Sequence, residues 1–176
     1  ALIIKLRNEG PVLYCGIRLG LHKKPFSMLK FRTLPVGAQK VVGVRLFSYQ
    51  QMKLPFFAKF LRDSRLDELP QLINILKGDM DFVGPRPLRP EIYESQCKHI
   101  NGFDFRFKVR PGLIGYSQLF TPHSSPKRIR SMIDNRSVCF KRSVIWDLFI
   151  IILAGFSVGK KFFQLLGRYT WDNLFR

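Results

Sequence analysis

Acidic residues are scarce in this 176-residue chain: 12 Asp and Glu stand against 30 Lys and Arg, for a formal net charge of +18. An imbalance of that size needs an anionic partner: nucleic acid, an anionic membrane surface or a phosphorylated substrate. Cysteine is just as sparse. Cys15, Cys97 and Cys139 lie far apart without a CxxC spacing, which argues against a disulfide framework and a thiolate metal site and suits a reducing compartment. His22, His99 and His123 are equally dispersed, so no histidine metal centre is expected. Nothing at the N-terminus reads as a signal peptide, and the chain has no internal repeat, low-complexity tract or convincing domain boundary. Long apolar runs are missing too. The most apolar stretch, Leu148–Gly159, would be a helix about 18 Å long, against the roughly 30 Å of a bilayer core. The expectation is therefore that no segment spans a membrane. That stretch is either a buried helix or one lying in the interface, with Lys160 and Lys161 reaching headgroups.

What is present is grease. Hydrophobic residues make up 46% of the chain, enough to exclude disorder in spite of the charge, and the length suits one domain with a real core. With 17 Phe and a mean hydropathy of −0.02, the composition leans towards a membrane surface. Val12–Ile17 and Phe26–Phe31 read as a β-hairpin with a basic turn around Gly20, Lys23, Lys24 and Pro25. Leu34–Lys53 reads as a loop with one short helix. Pro55–Leu61 sets Phe56, Phe57 and Phe60 beside Lys59, which is equally compatible with an interfacial helix and a buried one. Ser64 and Asp67 look like a helix start, and Leu69, Leu72, Ile73 and Leu76 continue at helical spacing until Gly78. Gly84–Pro90 and Arg110–Gly115 read as stiff turns. Helices are expected over Glu91–His99 and from Lys127 to Asn135.

The sharpest constellation is LRDSRLDELPQLINILKGDMDFVGPRP, Leu61 to Pro87. Asp67 and Glu68 are adjacent acids with Arg62, Arg65, Arg86 and Arg89 around them in sequence. A carboxylate that attacks a phosphate meets repulsion between anions. Such a site needs a divalent cation and Arg or Lys to take up charge on the phosphate oxygens. First-turn acids also complement a helix dipole, and residue types alone leave both roles open.

The chain resembles the bacterial sugar transferases, monotopic phosphoglycosyl transferases that act on a polyprenol phosphate carrier. The resemblance runs through GPVLY (Gly10–Tyr14), KPFSMLKFRTL (Lys24–Leu34), the Leu61–Pro87 segment and VRPGLIGYSQ (Val109–Gln118), and fades in SVIWDLFIII (Ser143–Ile152). LDELPQL followed by GDM and VGPRP is its most specific part. Ser48–Phe60, Ile114, Tyr116 and the segment after Asp134 depart from the family's pattern.

The resemblance implies an α+β fold, mostly helical with an N-terminal β-hairpin, as a membrane-interface (monotopic) catalytic domain. It would occupy residues 1–176 as a single domain, without the family's N-terminal membrane helix. It implies Asp67 and Glu68 as the catalytic pair and as holders of Mg²⁺. Arg62 and Arg86 match phosphate-binding positions, and Lys30 and Arg32 match the basic end of the hairpin near the site. The implied reaction moves a sugar-1-phosphate from a UDP-sugar to polyprenol (undecaprenyl) phosphate through a covalent Asp-phosphosugar ester, releases UMP and starts bacterial glycan assembly. The implied setting is the cytoplasmic face of the bacterial inner membrane, with an anionic membrane surface as partner; a homo-oligomer is compatible. One alternative is a catalytically impaired relative that binds membrane or a partner transferase. The other is a basic nucleic-acid binder, disfavoured because the chain shows no recognition-helix motif, aromatic sheet signature or zinc spacing.

Overall fold

The hairpin expected near the N-terminus forms with shifted ends: strands β1 (Leu13–Leu19) and β2 (Pro25–Phe31) pair in a two-stranded sheet. The structure is a computed structural model describing residues 10–35, 54–96, 100–121, 125–138 and 143–174. The loop expected over Leu34–Lys53 lies outside the described residues from position 36 onward, as do Cys97, His99, His123 and Cys139. Between the strands, Leu21–Lys23 makes one 3₁₀ turn in which His22 and Lys23 take left-handed φ of 53° and 61°. Non-glycine residues adopt that conformation only where something holds them. Here the Lys23 ammonium donates to Asp104 Oδ2 at 2.6 Å and to the Tyr93 hydroxyl at 2.7 Å, and the neighbouring cation keeps the Asp104 carboxyl below its ordinary range.

Among the described residues six α-helices follow: α1 (Phe56–Asp63), α2 (Gln71–Leu76), α3 (Pro90–Gln96), α4 (Tyr116–Phe120), α5 (Lys127–Ser137) and α6 (Val144–Leu174). Two 3₁₀ segments, Leu66–Glu68 and Phe103–Lys108, and two short strands, β3 (Asp81–Val83) and β4 (Gly112–Ile114), complete the described elements. Helix thus dominates, as expected. The chain divides into two compact units. One comprises Ala1–Tyr14, Leu29–Pro70 and Gly155–Arg176; the other comprises Cys15–Met28 and Gln71–Ala154. In the first, α1 buries Ala58 and Leu61, and Phe60 meets Phe162 edge-on at 5.7 Å between ring centroids. In the second, Met28, Met80, Val83, Phe103, Phe107 and Ile150 are buried.

Arg110–Gly115, read from sequence as a turn, supplies a strand instead. β4 runs parallel to β3 with Asp81 opposite Gly112 and Val83 opposite Ile114. Three residues, one of them glycine, carry too little alternation to announce a strand; the pairing comes from the approach of two backbones. A Cβ on Gly112 would lie 2.1 Å from the Gly84 nitrogen, and one on Gly84 would lie 2.8 Å from the Arg110 carbonyl oxygen. Only glycine fits at either position.

Two further expectations are corrected. The helix predicted to run from Ser64 to Gly78 is broken: Asp67 and Glu68 sit in the 3₁₀ turn, and α2 starts only after Pro70. Its polarity is also inverted. Gln71 and Asn74 are buried, whereas Leu69, Leu72, Ile73 and Leu76 are exposed, Leu76 at 88%. The Asn74 amide donates to the Ser27 carbonyl at 2.8 Å and to Asp79 Oδ2 at 3.2 Å, so the polar face is the one tied inward. Gly78 does end the segment, at a left-handed φ of 78°. The second correction concerns Leu148–Gly159, which is the middle of the 31-residue α6. The stretch Val144–Gly167, 24 residues, is long and apolar enough to cross a membrane, about 36 Å at 1.5 Å per residue. The flanking Val144–Asp147 and the mixed Lys160–Gly167 extend the helix beyond the apolar run that the sequence displays.

Candidate active site

The turn that carries the acid pair is built by its neighbours. Helix α1 ends where the Ser64 hydroxyl donates back to the carbonyls of Phe60 (2.7 Å) and Leu61 (3.3 Å). Ser64 therefore closes a helix rather than opening one. Arg65 then takes a left-handed conformation, φ 61° and ψ 13°, which costs a non-glycine residue of order 1 kcal/mol or more. The reversal lets Glu68 N–H donate to the Arg65 carbonyl at 3.1 Å and Leu69 N–H to that of Leu66 at 3.3 Å. Pro70, with no N–H to continue the turn, stops it. At three residues per turn, Asp67 and Glu68 diverge by about 120°.

Both acids are buried. A single 3₁₀ turn has almost no macrodipole, because few peptide dipoles align, so dipole compensation does not account for two buried carboxylates there. The partner that does appear is Lys30 of β2, whose ammonium lies 2.6 Å from Glu68 Oε1, with 18% and 11% of the two side chains exposed. The structure thus brings Asp67, Glu68 and Lys30 together. Arg62 stands half-buried on α1 in the same unit. Arg32, just past β2, also belongs to that unit; its N–H donates to the Val12 carbonyl at 2.8 Å. Its Nε is buried without a hydrogen-bond partner among the described residues.

Arg86 belongs to the other unit, on the Gly84–Pro87 loop that leaves β3. Its main chain is held on both sides: the N–H donates to Asp134 Oδ2 at 3.4 Å, and the carbonyl accepts from Arg106 Nη2 at 2.9 Å. Asp134 Oδ1 also accepts the Ser117 N–H at 2.9 Å. Arg106 and Asp134 are both 3% exposed. Burial pushes the Arg106 guanidinium down to about 10, with the charge of Asp134 acting against the fall, and the guanidinium sits 5.0 Å above the Phe103 ring. Sequence reasoning passed over this pair. One signal was available: Asp134 is the sole acid in α5, KRIRSMIDNRS, where a solvated basic face has no need of it.

Asp67 and Glu68 offer oxygen donors alone, and no group of three or more His, Cys, Asp or Glu is set to hold a metal among the described residues. Two carboxylates suit a hard cation that keeps waters and takes substrate phosphates as its other ligands, which is how Mg²⁺ is commonly held. The donor set therefore fits Mg²⁺, and does not fit an all-protein cage.

A sequence model of the family described as bacterial sugar transferase matches residues 1–161. A UDP-N-acetylgalactosamine-undecaprenyl-phosphate N-acetylgalactosaminephosphotransferase of Aeromonas hydrophila is 31% identical over 89% of this chain and 39% of its own length. UDP-glucose:undecaprenyl-phosphate glucose-1-phosphate transferases of Escherichia coli and Xanthomonas campestris pv. campestris are similar too. The first is 39% identical over 68% of this chain and 25% of its own, the second 33% identical over 92% and 34%. The chain thus spans between 25% and 39% of the length of these relatives.

Proposed function

The chain belongs to the bacterial sugar transferase family, and on that premise we propose that it transfers a sugar-1-phosphate from a UDP-sugar to undecaprenyl phosphate at a membrane surface. The observation that carries this reading is the buried Asp67–Glu68 pair on its strained turn, with Lys30 drawn to Glu68 at 2.6 Å. A carboxylate oxygen of Asp67 attacks the β-phosphorus of the donor. The new O–P bond forms as the bond to the UMP oxygen breaks, and UMP leaves with that electron pair. An oxygen of undecaprenyl phosphate then attacks the same phosphorus and displaces Asp67, which returns as a carboxylate. Two displacements replace one direct encounter between anionic substrates. Glu68, oriented by Lys30, assists the acceptor phosphate or helps to place the cation. Arg62 and Arg86 take up phosphate charge through their planar forks, with Arg32 adding to the positive field. Mg²⁺, held by Asp67 and Glu68, would supply charge neutralisation on the diphosphate when bound.

Purified protein with Mg²⁺, undecaprenyl phosphate and either UDP-glucose or UDP-N-acetylgalactosamine, the donors in the relatives' names, is expected to release UMP with one of the two. Absence of UMP with a full panel of UDP-sugars would favour the impaired-relative alternative.

The membrane setting is supported by α6. Ile145, Phe149, Ile152, Phe156 and Phe163 are all exposed and follow one another at helical spacing, so they form one stripe. Ile150 and Ala154 are buried on the opposite side. Exposed Lys160 and Lys161 on the same helix can reach anionic headgroups, which supports an element that lies in the interface. The inverted α2, polar inward and leucine-rich outward, supports the same reading. The protein is expected to co-sediment with anionic liposomes, and Ile152→Asp with Phe156→Asp is expected to reduce the bound fraction severely without lowering the melting temperature. Unchanged sedimentation of that double variant counts against α6 as the docking element.

A further inference from the structure

We propose that Arg106 and Asp134 are positioning residues, a buried ionic brace that fixes the main chain of Arg86 and thereby aims its side chain; this rests on the phosphate-binding role given to Arg86 above. The loop at residues 84–86 is bonded at each peptide. Gly84 N–H donates to the Ile114 carbonyl at 3.1 Å, the Pro85 carbonyl accepts the Gly112 N–H at 3.0 Å, and Arg86 is gripped by Asp134 at its N–H and by Arg106 at its carbonyl. Pro85 and Pro87 have no N–H and fix their own φ, so over residues 85–87 Arg86 offers the only main-chain donor, and it goes to a buried carboxylate. The two grips come from positions 20 and 48 residues away in sequence.

Burying a guanidinium and a carboxylate is expensive, and apolar residues of similar volume usually stabilise as well or better. Charged partners do what apolar ones cannot: they hold one peptide in one orientation. Asp134 is itself held by the Ser117 N–H at 2.9 Å, and Arg106 by its contact with Phe103, so neither end of the brace is loose. An arginine that must meet phosphate oxygens two at a time is sensitive to orientation, since its fork is rigid.

The test is a double-mutant cycle on the affinity for UDP, the moiety common to all UDP-sugar donors, measured by calorimetry on the full chain with Mg²⁺. Asp134→Asn keeps the volume and removes the charge; Arg106→Lys keeps the charge and loses the reach to the Arg86 carbonyl. Each is expected to weaken UDP binding about tenfold in the otherwise unaltered protein and less than about twofold when Arg86 is already Ala, because two changes acting through one side chain do not add. Equal weakening in both backgrounds overturns the brace, since it would mean general loss of structure. If Arg86→Ala binds UDP like the unaltered protein, the reading of Arg86 falls and the brace falls with it, an outcome distinct from the first. Should Asp134→Asn melt below the assay temperature, Arg106→Lys decides alone.

Discussion

Asp67→Asn is expected to abolish the first half of the proposed reaction: no phosphosugar adduct should form, and turnover should drop by about 10⁴-fold or more, the scale expected when a nucleophile is removed. The unaltered protein, given Mg²⁺ and the correct UDP-sugar without acceptor, should release at most one equivalent of UMP per chain. It should gain the mass of one phosphosugar on the peptide that contains Asp67. Asparagine has nearly the same shape and replaces only the anionic oxygen, so the buried 3₁₀ turn at Leu66–Glu68 should keep its fold and the melting temperature should change little. An Asp67→Asn protein with near-normal turnover would remove Asp67 from the mechanism. Loss of activity together with loss of fold would make Asp67 a structural acid of the turn.

The second large effect is expected at Lys30. Its ammonium and the Glu68 carboxylate are mostly buried and 2.6 Å apart, so Lys30→Met leaves Glu68 shielded from water without that cation. The expected loss is about 2–3 kcal/mol of stability, below the ~3–5 kcal/mol of a fully buried pair, since some exposure remains. Turnover should fall as well, because Glu68 is no longer oriented. Adding Glu68→Gln to Lys30→Met removes the stranded charge. Chemical denaturation should then show most of the stability regained, with turnover still lost. Glu68→Gln alone should also be inactive. If the double variant recovers both stability and turnover, the pair is a structural salt bridge and Glu68 has no part in the chemistry.

The acid pair was legible because its neighbours are unusual in sequence: two acids in a basic chain, bracketed by arginines and followed by rigid Pro/Gly turns. What could not be read was the shape holding them. Ser64 has the composition of a helix start, yet its hydroxyl bonds backward to Phe60 and Leu61, a choice that propensity does not make. Leu69, Leu72, Ile73 and Leu76 have helical spacing, and spacing identifies a face without saying what that face meets. In water an apolar face turns inward; here Asn74 is tied to Ser27 and the leucines turn out, which fits a face covered by lipid.

By itself the sequence determined the hairpin, the predominance of helix, the stiff turn at Gly84–Pro85 and the family, because each depends on residues close in the chain or on a motif copied in order. Tertiary structure alone decided the left-handed Arg65 that sets Asp67 and Glu68 on a separate turn, the Lys30–Glu68 pair, the parallel contact of β3 with β4 and the grip of Arg106 and Asp134 on Arg86. All but the first are meetings of distant residues, and the first is a backbone strain that no local pattern announces. Their energies depend on burial and on orientation, neither of which exists until the chain has folded.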